Sequence, residues 1–405
     1  MKGEVRTLSK DGLERFHALG PDAISAMAER LYTIHKPVYA RYGSRGREAC
    51  HETLATHLEF LKPVLQFGQI HHMADYLIWL TDLLNPYAIP EKHLATSLDW
   101  LDEFFIEHMN LEDSAVVGDA LQAARAQSLK VNKLPITGSL SIESWPEAIP
   151  FEAAILIGDH GAAMSIMNQL LDDFHKLPEI ERHMVQPALY GIRGKWQSNQ
   201  ITLVCEQMAA AIVKSVLIAA MLRSPASPKN GQRVLLGCAE GNDRDIELRI
   251  VADTFLIEGW EVRCLGASVP TQELLDQAIT WRPDLLILSV SLMPQLLSAN
   301  STITQLNEQL GSERPSVMIS GLATSHYGRL AGIIVGADSW STDARGAIHC
   351  ANSISLRRDH MRKENPLLGQ LASALTECYF KLSHLPIYLT SLLDQRYLSN
   401  RRNHL

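Results

Sequence analysis

Apolar positions recur three and four apart from about residue 10 to residue 130, as in Leu54, Leu58, Leu61 and Val64 and again in Tyr76, Leu77, Leu80 and Leu84. That period lays one face of a helix against a core, so it predicts an all-α first third. Asn85-Pro86 and Ile89-Pro90 interrupt the pattern, and separate helices are expected on either side, because proline lacks an amide donor and restricts the residue before it. The stretch 132–150, with three prolines and three serines, reads as a linker. Residues 151–223 return to helical spacing and end in the apolar run MAAAIVKSVLIAAML, whose small residues suit a helix packed on several sides. That length fits a four-helix bundle.

A second proline-bearing break, Ser224 to Gly231, precedes a change of period. The short apolar runs RVLLGC (233–238), WEVRCLG (260–266), DLLILSV (284–290) and SVMISG (316–321), with a weaker one from Ala337 to Trp340, alternate with helical stretches. Such runs mark a parallel sheet covered on both faces, which binds ligands beyond the carboxyl ends of its strands. Past residue 356 a charged spacer leads into an amphipathic helical tail to which no site is assigned. The expected division is a helical domain at 1–131, a bundle at 150–224, an α/β domain at 231–355 and a tail at 356–405.

Charge and cysteine usage narrow the chemistry. A formal net charge of −8, with no basic run beyond Arg401-Arg402, offers nothing to a phosphate backbone, so no nucleic-acid partner is expected. The six cysteines, Cys50, Cys205, Cys238, Cys264, Cys350 and Cys378, form no CxxC pair, which argues against zinc, a disulfide framework or an iron–sulfur cluster. No run of uncharged apolar residues reaches about 18, and the first ten residues lack an apolar segment, so a cytoplasmic chain without membrane contact is expected.

The loop from Glu240 to Arg249, EGNDRDIELR, joins the first strand to the first helix of the α/β region. It resembles the cobalamin-binding domain family, which reads Asp-x-His-x-x-Gly here, the histidine replacing benzimidazole on cobalt. The resemblance continues through residues 250–270, Ser289, Ser291, Ser320-Gly321 and Gly336 to Asp338. It implies a five-stranded parallel flavodoxin-like sheet under a helical cap. Asn242 stands where that family has aspartate, Arg244 where it has histidine and Glu247 where it has glycine. A guanidinium has no lone pair for a metal, so the usual lower axial bond is excluded. Arg244 and Glu247 are three apart and expected to pair. Two readings stand: a salt-bridged surface turn without ligand, or a changed site in which Arg244 meets a propionate, amide or phosphate of a tetrapyrrole. Ser289, Ser291 and Gly321 are correspondingly either ordinary strand-end residues or the remains of a ligand-tail pocket.

The segments Val185 to Trp196 and Ile201 to Gln207 resemble the bundle over cobalamin in light-sensing regulators, which carry Trp, nine residues, then Glu-His. Trp196 and Glu206 keep that spacing, while Gln207 replaces the histidine. The segment Arg45 to Phe60 resembles a helix of globin-like bilin-binding domains, in which a cysteine precedes an aspartate by three. Cys50 is present, with Thr53 at the aspartate position. The resemblance implies a bilin thioether at Cys50 and propionate pairing by Arg45 or Arg47. A small core cysteine is the other reading, and His51, His57, His71 or His72 offer a haem ligand as an alternative.

No nucleophile, base and oxyanion donor converge in these motifs, so no catalytic residue and no metal site is expected. The expected protein is a photoreceptor-like regulator that binds a tetrapyrrole, either a corrinoid without its lower histidine or a biliverdin-type bilin, with haem less favoured. It would signal by contact with a regulatory protein partner, as a homo- or hetero-oligomer. The alternative is a ligand-free interaction module or subunit on the same scaffold.

Overall fold

A computed structural model describes residues 5–39, 43–84, 90–129, 143–198, 200–327 and 329–353. The N-terminal part is helical throughout: α1 (Lys10–Ile34), α2 (Lys36–Tyr39), α3 (Gly43–Phe67), α4 (His71–Leu84), α5 (Glu91–His108) and α6 (Leu111–Ser128). Ser9 caps α1 by accepting from the Gly12 amide, and Asn110 caps α6 by accepting from Asp113, each satisfying an otherwise orphaned donor. α5 starts directly after Pro90, as the proline signal there predicts, whereas Asn85 to Ile89 lie outside the described residues. Leu54, Leu58, Leu61, Val64, Tyr76, Leu77 and Leu80 all turn into one core with Phe16, Leu101 and Phe105.

The next helices are α7 (Ala148–Leu156), α8 (His160–Asp172), α9 (Leu177–Ile180), α10 (Gln186–Gln197) and α11 (Leu203–Arg223), with a π-helical turn, Glu181–Val185, fusing α9 to α10. The sheet region follows as β1 (Arg233–Cys238), α12 (Ile246–Ile257), β2 (Glu261–Cys264), α13 (Thr271–Trp281), β3 (Leu285–Ser289), α14 (Gln295–Leu310), β4 (Ser316–Ser320), α15 (Leu322–Tyr327), α16 (Arg329–Val335) and β5 (Ser339–Trp340), then a helical run over 344–353. All strands pair in parallel in the order β2-β1-β3-β4-β5. The chain leaves β1 on one side to form β2 and reaches β3 on the other, so the switch point lies between β1 and β3.

Side chains alternate across the sheet as a two-residue period requires. Val234, Leu236, Leu285, Ile287 and Met318 face the helical cap and share one core with Phe151, Met184, Val213 and Phe255. Leu235, Leu286, Leu288, Val317 and Ile319 face away, onto Leu274, Leu296, Ile303 and Ala331. The break at 224–231 is no free tether, because the Ser227 amide donates to Ile257 O at 2.7 Å and the Asn230 amide to Gly259 O at 2.9 Å.

Two expectations need correction or fall outside view. The apolar helix α11 is packed on one side only: Ala209, Val213, Val216 and Ala220 are buried, whereas Val204, Ile218 and Leu222 are exposed. The tail expected at 356–405 and most of the linker at 132–150 lie outside the described residues.

Candidate functional site

The loop after β1 and the loop after β3 meet at the switch point. Asn242 is fully buried; its Nδ2 donates to Ser289 O at 2.9 Å and to Ser289 Oγ at 3.4 Å, while its Oδ1 accepts from the Arg244 amide at 3.2 Å. Gln295, the first residue of α14, accepts from the amides of Ser291 and Leu292 at 2.8 and 2.9 Å and donates to Gly241 O at 2.9 Å. Ser289 and Ser291 are buried within this network. Gly321 has φ +99°, and a Cβ there would lie 2.6 Å from Val290 O and 2.9 Å from Ser289 Oγ, so glycine is required by backbone and space alike. The polar groups at these strand ends are thus satisfied largely by one another.

Around them, α12 is tied to the cap. Glu247, in the first turn of α12, accepts from Arg193 of α10 at 2.9 Å, and Asp245 accepts from Lys214 of α11 at 2.7 Å. The expected Arg244–Glu247 pair does not form. Arg193 is the more deeply buried cation, 8% exposed, and has the stronger need of a counter-charge, so it takes the carboxylate. Its Nε and Nη1 have no partner among the described residues. Arg244 is half-buried and, among the described residues, has no ion-pair partner for its guanidinium. Burial and then the neighbouring Arg193 pull its pKa down, opposed by Glu247 and Glu206. Tyr190, beside the same Glu247, is pushed up to about 12, chiefly by burial. Trp196 and Glu206 are half-buried and Gln207 is exposed.

Spacing therefore located Asn242, Arg244, Glu247, Ser289, Ser291 and Gly321 in one place, but Arg193, Lys214, Asp245 and Gln295 were missed. The available signal was an arginine one helical turn before Trp196, and a glutamine opening a helix after Pro294. A cleft of about 900 Å³ lies elsewhere, lined by Trp145, His183, Arg223, Ile257 and Asp343.

Cys50 and Arg47 belong to the N-terminal helices. Cys50 is buried in their core, and burial pushes its thiol up to about 11. The Arg47 guanidinium lies over the Tyr32 ring at 4.8 Å. His57 is buried, its Nδ1 2.7 Å from the Tyr76 hydroxyl, and burial lowers its pKa to about 4. Among the described residues no three His, Cys, Asp or Glu side chains gather as a metal site.

Residues 232–348 match the B12 binding domain family model, and residues 150–220 match a second B12 binding domain model. The chain is 22% identical over 208 residues to a corrinoid protein of Desulfitobacterium hafniense, spanning 50% of this chain and 94% of that one. It is 23% identical over 184 residues to the HTH-type transcriptional repressor CarH of Myxococcus xanthus, spanning 45% of this chain and 60% of the repressor. Among solved structures, the monomethylamine corrinoid protein of Methanosarcina barkeri aligns with 53% of this chain and 98% of its own, at 17% identity and a TM-score of 0.45.

Proposed function

We propose that residues 150–348, a cap and sheet of the cobalamin-binding-domain type, receive a corrinoid without an axial histidine and relay its arrival to a protein partner. The observation that carries this reading is Arg244, a half-buried guanidinium beside the like-charged Arg193 that, among the described residues, forms no ion pair, Glu247 being bonded to Arg193. Two desolvated cations gain from an anionic or carbonyl-rich ligand, and a corrinoid offers a phosphodiester and a rim of amide oxygens.

The residues do not fit a histidine-ligated corrinoid whose tail enters the sheet. Arg244 has no lone pair to offer, Gln207 replaces the second histidine, Asn242 and Ser289 bond each other, and Gln295 is taken up by the Ser291 and Leu292 amides and Gly241 O. The proposal is confined to a corrinoid that keeps its tail outside the strand ends. Bound there, it would supply visible absorbance and, with a photolabile ligand, sensitivity to light. An incoming anion competes with Glu247 for Arg193 and so loosens the tie between α10 and α12; that is the proposed route to the partner. We assign no catalytic residue. A bilin thioether at Cys50 is left out, because a buried thiol near 11 holds little thiolate at neutral pH.

The test is to mix the purified protein with hydroxocobalamin, and separately with biliverdin and haem, desalt, and record the visible spectrum. Retained, shifted corrinoid bands that diminish in Arg244→Ala are expected. A desalted protein without any cobalt would sink the reading.

The buried strand-end network favours a second reading, a ligand-free interaction module on the same scaffold. There, neither the parent nor a Gln295→Ala variant that opens the network retains a corrinoid.

A further inference from the structure

Helix α11 carries a second apolar arc on the side away from its buried one. Val204, Met208, Ala211, Ser215, Ile218 and Leu222 follow one another at steps of four, three, four, three and four, and all are exposed. Val204 is 72% and Leu222 85% exposed. That spacing is the seam of a helix that packs lengthwise on another helix.

The seam is also self-complementary. Turned end for end about Val213, it maps onto itself: Val204 faces Leu222, Met208 faces Ile218, and Ala211 faces Ser215. Large apolar residues stand at both ends, and two small ones at the centre let the helices approach. None of the six is charged, and the one hydroxyl, on Ser215, already donates to Ala211 O at 3.3 Å within the helix. The neighbouring charges are occupied, Lys214 by Asp245 and Arg223 by Asp172. Closing the seam on α11 itself therefore strands neither of these charges.

The surroundings continue the match. The α7–α8 turn lies beside Met208, since a Cβ on Gly158 would come 3.3 Å from its Sδ, and that turn exposes Ile157. The Arg223–Asp172 pair holds the end of α8 next to Leu222, and Phe174, 94% exposed, lies two residues beyond. In the reversed pairing, Ile157 of one copy and Phe174 of the other would lie on the same flank of the seam.

We propose that α11 is a homodimer seam, two copies packing antiparallel about a two-fold axis at Val213. Such an interface is isologous and closes after two subunits. From Val204 to Leu222 the seam runs about 27 Å at helical rise. The flanking apolar residues would add to its area, against the roughly 800 Å² per partner of a standard interface. The proposal does not depend on any bound corrinoid.

Sedimentation equilibrium and light scattering on the full chain at micromolar concentration test it. A mass of twice the chain is expected for the parent. Ile218→Glu combined with Leu222→Glu should weaken association by roughly tenfold or more. Circular dichroism should leave that variant folded, because both side chains are exposed. Register is read from Ala211→Cys and Ser215→Cys: mixed and mildly oxidised, the two variants should cross-link faster than either alone. A monomeric parent, a dimer indifferent to the two glutamates, or faster cross-linking of each cysteine variant with itself would overturn the proposal. So would a monomeric parent that binds anionic phospholipid vesicles, because α11 is also long and apolar enough, by composition, to meet a membrane.

Discussion

Arg244 and Arg193 bring two guanidinium groups close to the first turn of α12, and Glu247 is bonded to the more buried of them. A cation 8% exposed tolerates its position only while the carboxylate is there. Glu247→Gln should accordingly destabilise the protein by about 3 kcal/mol, the cost of leaving one member of a buried pair. Replacing both residues, Arg193→Met with Glu247→Leu, should cost far less, because no charge is then stranded. Urea midpoints of the three proteins decide this; a double variant no more stable than Glu247→Gln would show that packing, not charge, sets the cost.

Among the elements, the π-helical turn Glu181–Val185 has the most unusual environment. Glu181 is fully buried and, among the described residues, neither carboxyl oxygen has a hydrogen-bond partner. Burial first, then the nearby Asp253, raise its pKa well above the usual carboxylate range, with Arg249 opposing. Asp253 of α12 is itself pushed up to about 6 by burial, although Arg249 donates to it at 2.7 Å. A carboxyl group raised in the folded state leaves full stability below its ordinary pKa and takes stability away as pH climbs through the raised value. The contact between cap and α12 should therefore weaken from the ordinary carboxylate range upward through about pH 6 and beyond. Glu181→Gln stays neutral at every pH, so it should flatten this dependence and add about 1–3 kcal/mol at alkaline pH. Melting temperatures of parent and variant at acid and alkaline pH measure the difference. An unchanged pH slope would mean that Glu181 is not the group responsible.

At the scale of the whole molecule, the buried residues among those described fall into an N-terminal core and the cores of the cap and sheet, with no residue in common. Cap and sheet share one core, so neither should fold well alone, whereas the N-terminal helices complete theirs unaided. A fragment of residues 1–131 should show helical circular dichroism and a single cooperative thermal transition. A featureless melt would mean that these helices depend on the rest of the chain.

Much of this architecture is legible in spacing alone. Period and proline placement find α4 and α5, and the short apolar runs find all five strands, since helical and strand periods are local properties of a dozen residues or fewer. Loop motifs likewise bring Asn242, Arg244, Ser289 and Gly321 to one end of the sheet, because parallel strands deliver their carboxyl ends to the same edge. Partner choice is not local. Glu247 turns to Arg193, 54 residues away, rather than to Arg244, and Gln295 reaches back 54 residues to Gly241. Those selections follow from which group is more deeply desolvated once cap and sheet close on each other, and burial depth has no signature in the order of residues. The same holds for α11: its apolar residues are spread around most of its circumference, and only the placement of the cap and sheet leaves the arc from Val204 to Leu222 facing outward.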